Sequence, residues 1–322
     1  MKKPLVVVAR NIPKEGLEEL YKHCTVRMHR SAMPPSRKQL LSYARAADAL
    51  VTVLTEKVDA ELFAAGKNLK IVANYAVGYD NMDVKAAHRA GVYVTNTPGD
   101  LGASVAEHAM GMILVLSKRM LQGDSFMRAN KYKAWDPNLF LGNDVRGKTL
   151  GIIGGGNIGS ALVKIARGGF GMKILYHDII RNKKIEQDHQ AKRVSLSELL
   201  KASDAVSVHV PLLFSTRHLI SAKELSMMKK TAVLVNTARG PIVDEKALVR
   251  VLRANKIAGA GLDVFEFEPR MAPGLSKLPN VVLTPHIASA TIEARVHMGE
   301  LVSHNVLDVL IRGTAPHNAL EA

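Results

Sequence analysis

Three ionisable side chains stand just beyond short apolar runs in the second half of the sequence. Arg239 follows Val233-Leu234-Val235-Asn236-Thr237-Ala238, Glu268 follows Leu262-Asp263-Val264-Phe265-Glu266-Phe267, and His286 follows Val282-Leu283-Thr284-Pro285. Histidine exchanges a proton near neutral pH. A carboxylate beside it orients the ring and favours the protonated form. Arginine grips a carboxylate through two parallel hydrogen bonds. Singly, each has an ordinary structural explanation. The arginine can be solvated, the glutamate can be a loop charge before Pro269, and the histidine is one of 12. Their chemistry becomes specific only if one fold brings the three run ends to the same side.

A second motif supplies that fold. The run Thr149-Leu150-Gly151-Ile152-Ile153 leads into Gly154-Gly155-Gly156-Asn157-Ile158-Gly159 and then a helical stretch. In such a loop the first glycine makes the turn, the second lets backbone approach a pyrophosphate, and the third lets helix and strand pack closely. The helix N-terminus adds free N–H groups and a positive dipole end. The motif alone is weak, and its context makes it specific. The next apolar run ends in His177-Asp178, and Asp178 lies 19 residues after Gly159, where an acid grips ribose hydroxyls. Such a carboxylate accepts the 2′-hydroxyl of NAD and repels the 2′-phosphate of NADP, although Arg181, Lys183 and Lys184 partly offset that repulsion. NADH is therefore expected over NADPH, with Gly154, Gly156, Asn157, Ile158, Gly159 and Asp178 as cofactor residues. With a nicotinamide in place, Arg239, Glu268 and His286 suit reduction of a 2-keto acid or oxidation of a 2-hydroxy acid. No metal is expected.

The elements that must position these groups alternate from end to end. Strands are expected at 5–9, 25–28, 49–53, 71–74 and 93–95, then at 149–153, 173–176, 205–210, 232–235, 258–262 and 281–283. Helices fall between them, and Ser195 with Glu198 and Ser221 with Glu224 read as capping boxes. This alternation means parallel sheets covered by helices on both faces, an α/β fold. Two longer helices are expected, at 100–129 and 291–311. The second leads the chain away from the last strand and back to the first half. The expected domains are 1–98 with 288–322, and 99–287.

Length and composition agree. The chain has 322 residues, 47% hydrophobic and 23% charged, which suggests about two globular domains. Its one cysteine, Cys24, forbids an internal disulfide and fits a reducing compartment. The apolar stretch at 5–9 is too short for a signal peptide, and 109–116 is too short to cross a bilayer. A cytoplasmic protein without a membrane partner is expected. The net charge of +15 attracts anions, but its basic residues are scattered and without interleaved aromatics, so nucleic-acid binding is not expected.

The chain resembles the D-isomer-specific 2-hydroxyacid dehydrogenases along essentially its whole length. The nucleotide loop carries the match, together with Ser203-Asp204 through Val208-His209-Val210-Pro211, Met228-Lys229-Lys230 through Asn236-Thr237-Ala238-Arg239-Gly240, and Gly261-Leu262-Asp263 through Pro285-His286. The resemblance implies two doubly wound domains, a Rossmann dinucleotide-binding domain inserted into a flavodoxin-like substrate domain. It implies that Arg239 binds the substrate carboxylate and carbonyl oxygen, and that His286 donates a proton with Glu268 as partner. It implies that N–H groups of Ala76, Val77 and Gly78 cradle the carboxylate. Thr237, Ala238, Asp263 and Ser289 would line the nicotinamide side, and Pro211 the adenosine side.

Trp135-Asp136-Pro137 and Gly147-Lys148-Thr149 through Gly154 look like the glyoxylate/hydroxypyruvate reductase branch. The loop departs from many relatives at Gly155 and Asn157, which removes an arginine contact to the phosphates. Other readings on the same fold are a dehydrogenase of D-lactate, D-glycerate, 2-ketogluconate or phosphite, and a nicotinamide-sensing regulator resembling the corepressor branch. The expected assembly is a homodimer through the helix at 100–130, whose Met110, Met112, Leu114, Leu116, Met120 and Leu121 offer surplus apolar surface. By the resemblance, Trp135 would reach across that interface to the partner's substrate pocket.

Overall fold

The computed structural model describes residues 2–99 and 101–321. The chain divides into two compact units, residues 1–100 with 290–322, and residues 101–289. In the first unit, β1 (Leu5–Val8), β2 (Thr25–Met28), β3 (Ala49–Thr52), β4 (Ile71–Asn74) and β5 (Tyr93–Thr95) form one sheet in the order β2-β1-β3-β4-β5. All its pairings are parallel. This is the flavodoxin-like order. Strands β3 and β4 are buried along their whole length, as strands covered on both faces must be. Val7, Leu50, Leu62, Val72 and Val94 belong to the core of this unit. The helix Ile292–Leu307 packs here, with Thr291 as its N-cap. Its Ser303 Oγ donates to the Gly16 carbonyl at 2.7 Å.

The second unit holds β6 (Thr149–Ile153), β7 (Lys173–His177), β8 (Lys192–Arg193), β9 (Ala205–Val208), β10 (Val233–Asn236), β11 (Gly259–Leu262) and β12 (Val281–Leu283). The order β12-β11-β10-β9-β6-β7-β8 is the doubly wound Rossmann order with one further strand. The direction reverses between β6 and β9, so the loops after these two strands diverge and leave a crevice for a ligand. One core cluster gathers Ile153, Val208, Leu234 and Leu262; another gathers Ile113, Leu150, Leu162 and Val235.

Three expectations need correction. The stretch at 100–129 is not one helix. Helix Leu101–Ser117 ends, Arg119 takes the left-handed conformation at φ 54°, and a second helix runs Met120–Arg128. The expected start, Asp100, lies outside the described residues. Two contacts fix the break, because Asn143 N–H donates to the Ser117 carbonyl and a Cβ at Gly142 would lie 2.3 Å from that oxygen. The apolar surface of the first helix is not surplus either. Met110 and Met112 are buried in their own unit, with Leu114 and Leu116 packed beside them. The exposed apolar side chains lie further on, at Met120, Leu121, Met127, Tyr132, Trp135 and Leu141. Strand β8 was not foreseen, because Lys192-Arg193 is an exposed two-residue edge with no apolar run. Among the described residues, no helix is long and apolar enough to cross a membrane.

Candidate active site

The three ionisable groups sit on loops after β10, β11 and β12, the strands at one end of the second sheet. Asn236 shapes the first loop. It is buried, its Oδ1 accepts from Ala238 N–H at 3.0 Å, and its amide donates to the Arg239 carbonyl at 2.9 Å. Gly240 then passes against the second loop so closely that a Cβ would lie 1.9 Å from the Phe265 carbonyl. Only glycine permits this approach, which brings Arg239 beside the loop of Glu268. The Arg239 guanidinium donates to the Ala238 carbonyl at 2.8 Å, and its charge acts on Glu268.

Glu268 and His286 meet directly, with Oε2 3.1 Å from Nδ1. The other carboxylate oxygen accepts from Phe265 N–H at 3.0 Å. Burial pushes the Glu268 carboxyl up, but the His286 hydrogen bond, the Phe265 N–H and the charges of His286 and Arg239 outweigh it. The carboxyl is held below its ordinary range. His286 itself has φ 55°, a left-handed conformation uncommon for a residue with a side chain. A constraint of this kind concentrates where a fold aims a functional group.

The nucleotide loop has the geometry its glycines require. Gly154 has φ 99°, and a Cβ there would lie 2.7 Å from the His209 carbonyl. A Cβ on Gly159 would strike the Gly154 carbonyl at 2.1 Å, whereas Gly156 faces open space. The helix Asn157–Phe170 starts directly after it. Asp178 stands at the end of β7, where one carboxylate oxygen accepts from Gly155 N–H at 2.7 Å and the other from Ile180 N–H at 2.9 Å. Two of the neighbouring cations are engaged. Arg181 pairs with Glu186 at 2.8 Å, and Arg193 donates to the carbonyls of Asp178 and Ile179. Near the sheet, Thr237 Oγ1 is buried without a hydrogen-bond partner among the described residues. An orphaned buried hydroxyl, a glycine facing open space and a helix N-terminus together fit a dinucleotide.

Asp263 is fully buried, and its carboxylate is spent on the chain around His286. It accepts from Thr284 Oγ1 at 2.5 Å, Ile287 N–H at 2.8 Å and Ala288 N–H at 2.8 Å. Pro211 is exposed and Ser289 half-buried, just beyond β9 and β12 respectively. In the first unit, the turn after β4 carries Ala76, Val77 and Gly78. Their carbonyls accept from Thr97 N–H, the Asn96 amide and the Asn74 amide. Their own N–H groups find no acceptor among the described residues. Trp135 is 77% exposed.

Sequence reasoning missed Asn236, Gly240, Thr284 and His108. An Asn at a strand end two residues before a turn is a legible signal, since it bonds its own backbone. Gly240 could be read only as a turn. His108 was hidden in an apolar helix, and its Nε2 lies 3.1 Å from Thr284 Oγ1. Among the described residues, no group of three or more His, Cys, Asp or Glu is placed to hold a metal ion.

A family profile described as the NAD-binding domain of D-isomer specific 2-hydroxyacid dehydrogenases matches residues 110–288. A glyoxylate reductase of Korarchaeum cryptofilum is 48% identical, over 98% of this chain and 95% of its own length. A solved glyoxylate reductase from Paecilomyes thermophila aligns with TM-score 0.86 and 34% identity, over 99% of each chain. An NADPH-dependent glyoxylate/hydroxypyruvate reductase of Sinorhizobium meliloti aligns with TM-score 0.83 and 32% identity, over 99% of this chain and 98% of that one.

Proposed function

The chain belongs to the D-isomer-specific 2-hydroxyacid dehydrogenases, nicotinamide-dependent oxidoreductases of 2-keto and 2-hydroxy acids, and from that premise we propose that it reduces glyoxylate or hydroxypyruvate with NADH. The observation that carries this reading is the His286–Glu268 hydrogen bond, with Arg239 held beside the same loop.

Glycines 154, 156 and 159, with Asn157 and Ile158, would hold the pyrophosphate; Asp178 the ribose; Pro211 the adenosine side; and Thr237, Ala238, Asp263 and Ser289 the nicotinamide side. The bound nicotinamide supplies the hydride for the keto carbon. The protein's own residues do the rest. The His286 Nδ1–H is committed to Glu268, so the proton for the carbonyl oxygen leaves from Nε2. The negative Glu268 holds Nδ1 and so fixes the orientation of the ring for transfer. Arg239 offers its planar fork to the substrate carboxylate and carbonyl oxygen. The N–H groups of Ala76, Val77 and Gly78, which have no acceptor among the described residues, offer a further anion cradle, and this supports a substrate-binding role for the five-stranded unit.

Asp178 supports NADH over NADPH. Its carboxylate is fixed at the β7 end, while Arg181 and Arg193 are turned to other partners. The exposed apolar chains from Met120 to Leu141 support a homodimer in which Trp135 serves the partner's substrate pocket. The single buried cysteine supports a reducing, cytoplasmic setting.

A panel of 2-keto acids, assayed with NADH and NADPH at subsaturating cofactor, tests the proposal. Highest kcat/KM for glyoxylate or hydroxypyruvate with NADH is expected. Equal or better use of NADPH overturns the cofactor assignment, and preference for a bulky keto acid overturns the substrate assignment.

A further inference from the structure

We propose that His108 is a positioning residue for the proton donor, holding the segment 284–288 through Thr284 and Asp263. The inference rests on the reading of His286 as that donor.

The register of one helix against one strand makes the link. A Cβ on Gly259 would lie 3.0 Å from Leu116, and one on Gly261 would lie 2.9 Å from Met112. The small residues of β11 thus admit helix Leu101–Ser117 at close range. Four helical residues rise about 6.0 Å. Two strand residues rise about 6.6 Å. The two ladders therefore stay in step. The next rung pairs His108 with Asp263, and there Nε2 is 3.8 Å from Oδ1. Apolar packing on two rungs gives way to a polar contact on the third, at the end of the strand.

The direction of each hydrogen bond follows from counting protons. Thr284 has one hydroxyl proton, and it goes to Asp263 Oδ1 at 2.5 Å. The hydroxyl oxygen must then accept from His108, so Nε2 carries a hydrogen at 3.1 Å. Asp263 also takes Ile287 N–H and Ala288 N–H on its two oxygens, and its carbonyl accepts His286 N–H at 2.8 Å. The chain is thus tied before and after His286, whose φ of 55° needs surrounding structure to persist. His108, 22% exposed, anchors this clamp to the helix.

The test compares wild type with H108A, H108Q, T284V, H108A/T284V and H286A in glyoxylate reduction, with Tm and NADH affinity measured on each. For H108A, kcat is expected to fall about tenfold with NADH affinity little changed, because misaiming a catalytic group slows chemistry before it weakens binding. H108Q, whose amide N–H can serve the same hydroxyl, should recover most of that loss. The double variant should be no slower than T284V, since removing the hydroxyl leaves His108 nothing to hold. If H108A fails to fold, H108M fills the same space without a hydrogen-bond donor and gives the same readout. A folded H108A or T284V with wild-type kcat overturns the proposal, as does an H108Q no better than H108A, or losses that multiply in the double variant. Wild-type turnover in H286A overturns the proton donor itself.

Discussion

At the scale of single residues, His286 and Glu268 would, in the proposed reaction, divide the work of moving one proton. Glu268 stays charged below the ordinary carboxylate range, because the His286 hydrogen bond, the Phe265 N–H and the Arg239 charge outweigh the effect of burial. Its charge thus faces Nδ1 throughout the neutral range. The neutral amide of E268Q keeps a polar contact to the ring but loses the charge-assisted hydrogen bond that fixes it. E268Q should therefore lower kcat by about tenfold or more while NADH affinity is retained. Steady-state kinetics and a fluorescence titration with NADH measure the two, and an unchanged kcat removes Glu268 from its role. The positions of Arg239, Glu268 and His286 at one edge were legible because a parallel sheet presents its strand ends on one side, and the runs before each residue read clearly as strands. Thr284 and His108 were not, because the side chains they bond are brought near only by the fold.

Elements explain what side chains cannot. The break between helices Leu101–Ser117 and Met120–Arg128 left no trace in composition, since Lys118 and Arg119 are good helix formers. A tertiary contact from Gly142 and Asn143 decides it. Met110 and Met112 read as surplus surface until Gly259 and Gly261 of β11 show where the helix sits. Strand β9 carries a further consequence. His209, two residues after Ser207, bonds its hydroxyl through Nε2 at 2.8 Å, while Nδ1 is sealed from solvent without a partner among the described residues. Burial pulls the ring from its usual 6.5 down to about 4. Between those values the unfolded chain binds a proton that the folded one refuses. Stability from this group is therefore full above pH 6.5 and lost as pH falls toward 4, at about 1.4 kcal/mol per pH unit. Urea unfolding across that window should show a shallower slope in H209Q. Parallel curves for the two proteins contradict it.

For the whole molecule, charge and exposed surface remain to be accounted for. A net charge of +15 with scattered basic residues serves an enzyme of small anions, whose encounter it favours. In the proposed dimer, the exposed Met120, Leu121, Met127, Tyr132, Trp135 and Leu141 would be covered by a second copy of the chain. Sedimentation should give a dimer, and W135A should change relative kcat/KM among keto acids of different size while glyoxylate turnover survives. A monomer, or unchanged selectivity, contradicts this assignment. The central claim is that this chain reduces a 2-keto acid with His286 as proton donor. The most direct test is glyoxylate-dependent NADH oxidation in wild type and H286A, with NADH affinity measured separately by fluorescence. The account predicts a kcat lower by about 100- to 10,000-fold in H286A with NADH affinity retained. An H286A enzyme that folds, binds NADH and turns over within about threefold of wild type would contradict it.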